Sequence, residues 1–299
     1  MGQRGGLNFW EPTAILITFA SEQLGKEYAM LTKDGKKAYT TQGLICLKNL
    51  IPIEKVRSAQ QAVCSHFERE GLWKEGNWYL DELPSSKEPN AGAKLLTELK
   101  HNKEILQLVG EEVHQVVREL MDDHAVLPLL DRVQVLFTLP NAEKWTVPYR
   151  HWHLDLPRLP HCGGMGVQIF TFLNTVAPSG GGTLVVRGSH HLIKSDHRVS
   201  SSQVKKILKR KPYFRDLMSE DGTDRLRFLQ EAVRVDDVDI QVVELCGEPG
   251  DVYFTDLRLL HTIAPNASKT PRIMMTQRFL LTSLREALFN GNPISKGVY

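Results

Sequence analysis

Long apolar runs are missing from this 299-residue sequence. A transmembrane helix needs about 20 predominantly apolar residues in succession, and no segment supplies them. The opening stretch MGQRGGLNFWEP also lacks the basic start and apolar core of a signal peptide, so a soluble, cytoplasmic protein with no membrane partner is expected. Cysteine is scarce. Cys46, Cys64, Cys162 and Cys246 lie far apart with no CxxC pair, which excludes a disulfide framework or a zinc knuckle and leaves isolated thiols that read as buried small hydrophobes. An excess of one charge is absent too, with 37 Lys and Arg against 35 Asp and Glu. Nothing global therefore attracts a polyanion, and a nucleic-acid partner would need a local patch with aromatic residues to stack on.

What remains is an ordinary globular balance, 41% hydrophobic and 24% charged, enough for a sizeable core. The first 125 residues read as a mainly helical flank. GLICLKNLIP (43–52) reads as a buried strand and turn, followed by helical spacing in IEKVRSAQQAVCSHFEREGLW, and a second helical stretch covers 93–123. From RVQVLFTLP onward the texture becomes short β-branched and aromatic runs broken by Gly, Pro, Asn and Asp: GVQIFTFLNTV, GTLVVRGSH, IQVVELC, GDVYFTDL and PRIMMTQRFLL. That is the pattern of antiparallel strands. Without helix-then-strand alternation a doubly wound parallel sheet is excluded, and a double-stranded β-helix (jelly roll, cupin-like) becomes the expected fold. The expectation is one domain over 1–299. Its helical flank spans 1–125, its jelly-roll core 126–285, and an inserted, lid-like helical segment 196–235.

The stretch RHWHLDLP (150–157) places His151, His153 and Asp155 at alternate positions, so all three share a face if the segment is extended. Further on, GDVYFTDLRLLHTIAPNASKTPRIMMTQRF reads as a strand ending in His261, a turn through Pro265 and Asn266, and a strand beginning with Arg272. Two histidines and one carboxylate on one side of a metal leave the other positions open, the arrangement of non-haem iron(II) oxygenases. Structural zinc prefers four ligands. Alternation alone does not choose between His151 and His153.

Together these motifs resemble the phytanoyl-CoA dioxygenase family of iron(II)/2-oxoglutarate-dependent oxygenases. The family's His-x-Asp is matched by His153 and Asp155, its distal histidine by His261, and the arginine some ten residues beyond by Arg272. SGGGTLVVRGSHH resembles its Gly-rich strand and turn, GDVYFTD its aromatic strand, and TTQGLICLKNLIPIEKV its N-terminal strand and helix. The resemblance implies that His153, Asp155 and His261 bind Fe(II), which 2-oxoglutarate chelates. It implies that Arg272 receives the far carboxylate of that cosubstrate as a charge-assisted pair. It further implies that O2 oxidises a C–H bond of a small-molecule substrate, with succinate and CO2 released. Gln134 and Asn141 become candidate contacts to 2-oxoglutarate. Ile263 stands where many relatives carry a serine, and Asp155 stands where related halogenases have a small residue, which favours hydroxylation or desaturation over halogenation. Desaturation or cyclisation by the same cofactors is the alternative outcome, and a non-catalytic jelly-roll binding protein with a structural metal the alternative class.

Other residues carry weaker expectations. Arg278 shares a strand face with Arg272 and reads as the partner of an acidic surface group. His151, Trp152, Lys209 and Arg210 are candidate substrate contacts. The basic run Lys205, Lys206, Lys209, Arg210 and Lys211 reads first as a solvated helix face; its sharper reading is a lid that receives an anionic substrate. Trp73, Trp78 and Tyr79 read as packing, and Ser189, His190 and His191 as a turn rather than a second metal site.

Overall fold

The chain changes period where its sequence does, and each change begins with an identifiable local signal. In the computed structural model, residues 16–17, 31–79, 96–122, 124–160, 163–221 and 224–289 are described; Cys162 and the start of the 93–123 stretch lie outside them. The strands are β1 (Leu16–Ile17), β2 (Leu44–Leu47), β3 (Trp73–Lys74), β4 (Asn77–Trp78), β5 (Val126–Pro128), β6 (Gln134–Thr138), β7 (Gly166–Phe172), β8 (Thr183–Arg187), β9 (Val233–Val235), β10 (Val238–Glu244), β11 (Val252–Asp256), β12 (His261–Ile263) and β13 (Arg272–Leu281). The helices are α1 (Lys33–Gln42), α2 (Ile53–Arg69), α3 (Lys103–Leu106), α4 (Glu111–Leu120), α5 (Ser201–Leu208), α6 (Pro212–Leu217), α7 (Arg227–Gln230) and α8 (Arg285–Phe289).

Two sheets carry the molecule. The larger runs β1-β2-β11-β7-β13-β5, with β6 also on β13, and the smaller runs β12-β8-β10-β9. Pairing is antiparallel in both except between β1 and β2. Their facing surfaces share one apolar cluster, in which Leu44, Phe170, Phe172, Tyr253 and Met274 of the larger sheet meet Val185, Val243 and Leu245 of the smaller. The outer face of the larger sheet is covered by α2 and α4, whose Val56, Val63, Phe67, Val113 and Val117 pack on Ile45, Ile169, Phe254 and Met275. The outer face of the smaller sheet is covered by α5 and α6 through Val204, Leu208, Phe214 and Leu217. The order of layers is therefore helix, sheet, sheet, helix.

Capping explains where the helices start. Thr32 accepts a hydrogen bond from the Gly35 N–H at the head of α1, and Ser200 with Gln203 forms a reciprocal capping box on α5. Helix α1 stops at Gly43, which adopts φ +81. A Cβ there would also lie 2.7 Å from His190 Nδ1, so both conformation and space demand glycine.

The structure revises several expectations. The 93–123 stretch is a 3₁₀ turn (Thr97–His101), α3 and α4 rather than one helix. Asn102 caps α3 by accepting from the Ile105 N–H, and Gly110 precedes α4. His261 begins a strand instead of ending one. The strand expected within 43–52 is β2, which lies inside the larger sheet beside β11. Of the cysteines described, Cys46 is buried but Cys64 and Cys246 are only half-buried. No described helix is long and apolar enough to cross a membrane.

Candidate metal centre

His153 and Asp155 lie in an extended segment that joins no sheet. Its ladder contact is an antiparallel bridge between His153 and His261. His153 N–H donates to the His261 carbonyl at 2.9 Å, and His261 N–H returns to the His153 carbonyl at 3.1 Å. Since His261 also pairs with Val185 of β8, this bridge fastens the segment to the smaller sheet. Trp152 and Leu154, on the alternate positions, sink into the core beneath α5 and α6.

The result is a cluster in which one ligand atom each from His153, Asp155 and His261 lies within 4.8 Å of the others. His153 Nε2 is 3.4 Å from Asp155 Oδ1, and His261 Nε2 is 3.5 Å from Asp155 Oδ2. Each imidazole is oriented through its other nitrogen. His153 Nδ1 is 2.7 Å from the His151 carbonyl, and His261 Nδ1 is 3.0 Å from the Leu259 carbonyl. A carbonyl only accepts, so Nδ1 carries the proton on both rings and Nε2 is the nitrogen offered to a metal. The side chains of Asp155 and His261 are 7% and 9% exposed, that of His153 41%; the centre therefore opens to solvent on the His153 side.

Asp155 is held mainly from the larger sheet. Its Oδ2 accepts from Arg278 Nε at 2.6 Å, from Arg278 Nη2 at 2.6 Å and from Gln168 Nε2 at 2.9 Å. Gln168 reaches on to Thr276 Oγ1 at 3.2 Å, and Arg278 to Gln134 Oε1 at 3.2 Å. Burial alone would raise the carboxyl's pKa. Arg278 and then the two histidines outweigh it and hold Asp155 well below the usual carboxylate range. For His153, burial opposes the charged ring, but Asp155 prevails and lifts its pKa above the ordinary value.

Arg272 sits on the same inner face of β13, where Arg272, Met274 and Thr276 pair with Thr138, Leu136 and Gln134 of β6. It is 2% exposed. Its Nε donates to Thr138 Oγ1 at 3.1 Å, its Nη2 donates to the same hydroxyl, and its Nη1 points at the Met274 sulfur 3.4 Å away. Among the described residues no carboxylate pairs with it within salt-bridge distance. Burial lowers its pKa to about 10, opposed only by the charge of Glu244. Glu244 is itself pushed up to about 7 by burial, against backbone N–H groups of Ser179, Gly182 and Gly181. A desolvated guanidinium held by one neutral hydroxyl and a thioether keeps donor capacity for an anion.

Several expectations are corrected here. Arg278 binds no surface acid, because alternation along β13 turns it inward and it meets Asp155. Gln134 faces the same interior but is engaged by Arg278. Asn141 Oδ1 accepts from the Asn266 N–H at 2.8 Å. Asn266 in turn spans the carbonyls of Thr138 and Thr270, fixing the turn that leads into Arg272. His151 has φ +65, which breaks the strict alternation assumed for the motif; its side chain is exposed and its carbonyl serves His153. Trp152 is 1% exposed, so it packs instead of lining a pocket, with its indole N–H on the Pro148 carbonyl. Lys209 and Arg210 are exposed at the far end of α5, about 12 Å of helix from the Ser201 end. It is Ser201 that touches the motif, accepting from the Leu154 N–H. Trp78 packs against Phe67 and Phe137 as expected, and His190 and His191 both face the Thr40 carbonyl.

Sequence reasoning passed over Gln168, Thr138, Thr276 and the inward role of Arg278. A signal was present: glutamine in GVQIFTF and Arg, Thr, Arg at even spacing in RIMMTQRF are polar groups on otherwise apolar strands.

Two histidines and a carboxylate that could hold a metal ion, opened to solvent and seated in a two-sheet fold that also buries an arginine, match the donor set of non-haem metal oxygenases. The chain belongs to the phytanoyl-CoA dioxygenase family, whose model matches residues 39–274; these oxygenases use iron(II) and 2-oxoglutarate. Similar solved structures include the non-haem α-ketoglutarate-dependent carbocyclase SnoK from nogalamycin biosynthesis, with 17% identity, 84% of each chain covered and a TM-score of 0.53. EctD from S. alaskensis is 15% identical over 88% of this chain and 81% of that one, with a TM-score of 0.51. AviO1 from Streptomyces viridochromogenes Tue57 is 19% identical over 84% and 96%, with a TM-score of 0.50. No curated protein sequence matches.

Proposed function

We propose that the two sheets form a jelly-roll barrel and that the protein hydroxylates a C–H bond of a small molecule, with His153, Asp155 and His261 holding iron(II). The observation that carries this reading is the pairing of an open His–Asp–His cluster with Arg272, a buried cation without an ionic partner among the described residues, on the same barrel interior. The donor set fits the metal, since both Nε2 atoms and the carboxylate converge. A structural metal in a binding protein would need neither the open face nor the receptor arginine.

In this reading Arg272 takes the distal carboxylate of 2-oxoglutarate, with Thr138 orienting the guanidinium, and Asn266 fixes the turn from which Arg272 projects. Bound iron and 2-oxoglutarate supply the oxidising chemistry; the protein orients the target C–H bond and limits water. In this reading substrate reaches the centre from the solvent-open His153 side; the neighbouring cleft of about 370 Å³ between the metal motif and α5 is lined by Leu154, Asp155, Leu156, Arg198, Ser201 and Gln203 among others, and by neither histidine.

Anaerobic titration with Fe(II) and then 2-oxoglutarate tests the centre, through the weak visible charge-transfer absorption expected of the chelate. Succinate release in air, stimulated by candidate metabolites, tests turnover. No absorption and no succinate would defeat the reading. Product mass separates the outcomes, because hydroxylation adds one oxygen whereas desaturation or cyclisation removes two hydrogens.

A further inference from the structure

Arg278 is the buried group the proposed reaction leaves unused. It enters the barrel from β13, one register step beyond Thr276, directly opposite Gln168 on β7. Both direct their donors to one oxygen of Asp155. An ionised carboxylate has about four acceptor positions, two per oxygen. Oδ2 receives Arg278 Nε and Nη2 and Gln168 Nε2, which saturates it. Oδ1 faces His153 Nε2, at 3.4 Å, with no sheet donor on it among the described residues, while Oδ2 also lies 3.5 Å from His261 Nε2 on the metal side. The two oxygens of a single side chain are thus made unequal by the sheet.

We infer that Arg278, steadied by Gln134 and assisted by Gln168, is a positioning residue that confines Asp155 to one-oxygen ligation, keeping an additional coordination position free for the cosubstrate. The inference rests on the proposed iron centre. A carboxylate with both oxygens free binds a hard cation through one or both of them; three charge-assisted or amide donors on Oδ2 remove the second mode. Lysine is a poor substitute, since a single ammonium does not reproduce the planar fork that reaches Asp155 and Gln134 together.

The test compares the full-length wild type with Arg278→Met, Arg278→Lys and Gln168→Leu, after confirming by thermal melting that the metal-free variants fold. Each is titrated anaerobically with Fe(II) and then with 2-oxoglutarate, following the charge-transfer absorption. Arg278→Met should lose about 10- to 100-fold in 2-oxoglutarate affinity, with any loss of Fe(II) affinity no larger, since outer-shell partners at metal sites carry effects of that size on metal affinity or activity. The absorption should also shift in energy. Arg278→Lys should recover only part of the loss, and Gln168→Leu should move the same way by less. A folded Arg278→Met protein with wild-type cosubstrate affinity and unshifted absorption would overturn the proposal. If Arg278→Met does not fold, an unchanged affinity in Gln168→Leu overturns it instead. A wild type that binds Fe(II) but gives no absorption with 2-oxoglutarate strikes the functional reading, an outcome visible before any variant is compared.

Discussion

Asp155 and Arg272 show two ways of keeping a charge inside a protein, and they respond differently to removal. Asp155 is locked into a buried pair with Arg278, so Asp155→Ala leaves an uncompensated guanidinium in the interior. Besides losing metal binding, that variant should be less stable by about 3–5 kcal/mol in urea denaturation of the metal-free protein. A metal-free stability equal to wild type would refute it. Arg272 has no such pair. Arg272→Met exchanges a poorly solvated cation for a thioether of similar length beside Met274, so the metal-free protein should be as stable as wild type or more so. Its 2-oxoglutarate affinity should collapse while Fe(II) binding persists. Calorimetric titration of both ligands checks this. The candidate roles at these positions came from the family resemblance that the ordered motifs carry. Their partners did not, because a polar residue on an apolar strand, such as Gln168 or Thr138, marks an inward face without showing what lies opposite it.

The turn at Ser189–His191 joins α1 to the smaller sheet: His190 faces the Thr40 carbonyl, and Ser189 Oγ accepts from the Leu260 N–H. Burial depresses His190 to about 4, so the folded protein keeps it neutral while the unfolded chain protonates below about 6.5. The stability it contributes is present above that value and is lost as pH falls toward 4, about 3 kcal/mol in all. Glu244, raised to about 7, works in the opposite sense, since its folded form gains stability as pH falls from 7 toward its unfolded value. Replacing His190 by Gln removes the first effect and leaves the second. The variant should therefore become more stable at pH 5 relative to pH 8 than wild type does, measured by chemical denaturation at both values; equal differences would show that His190 is not held neutral. Strands and helices were readable here from their periods. The broken 93–123 helix and the strand that starts at His261 were not, since a cap such as Asn102 and a short three-residue strand leave little trace in a periodicity.

The layered architecture implies that ligand binding and stability are linked. The centre draws Asp155 from the linking segment, His261 from the smaller sheet and its supporting Arg278 and Gln168 from the larger one, so ligands that bridge them favour the folded state. At free ligand concentrations 100-fold above the dissociation constant, Fe(II) and 2-oxoglutarate should each add about 2.7 kcal/mol. The anaerobic melting temperature should rise with both present and return to the metal-free value on chelation. An unchanged melting temperature would mean that no such bridge forms.

The β-rich class, the helical cover, the two histidines, the carboxylate and Arg272 follow from local pattern and ordered motifs, because hydrophobic period and ligand chemistry are properties of short segments. Which histidine faces the carboxylate is explained by a left-handed backbone at His151 and a bridge to a distant strand. Which arginine binds the carboxylate and which is left open to an anion depends on the register of β13 against β6 and β7. Those are long-range pairings, and no local run of residues encodes what lies opposite it across a sheet.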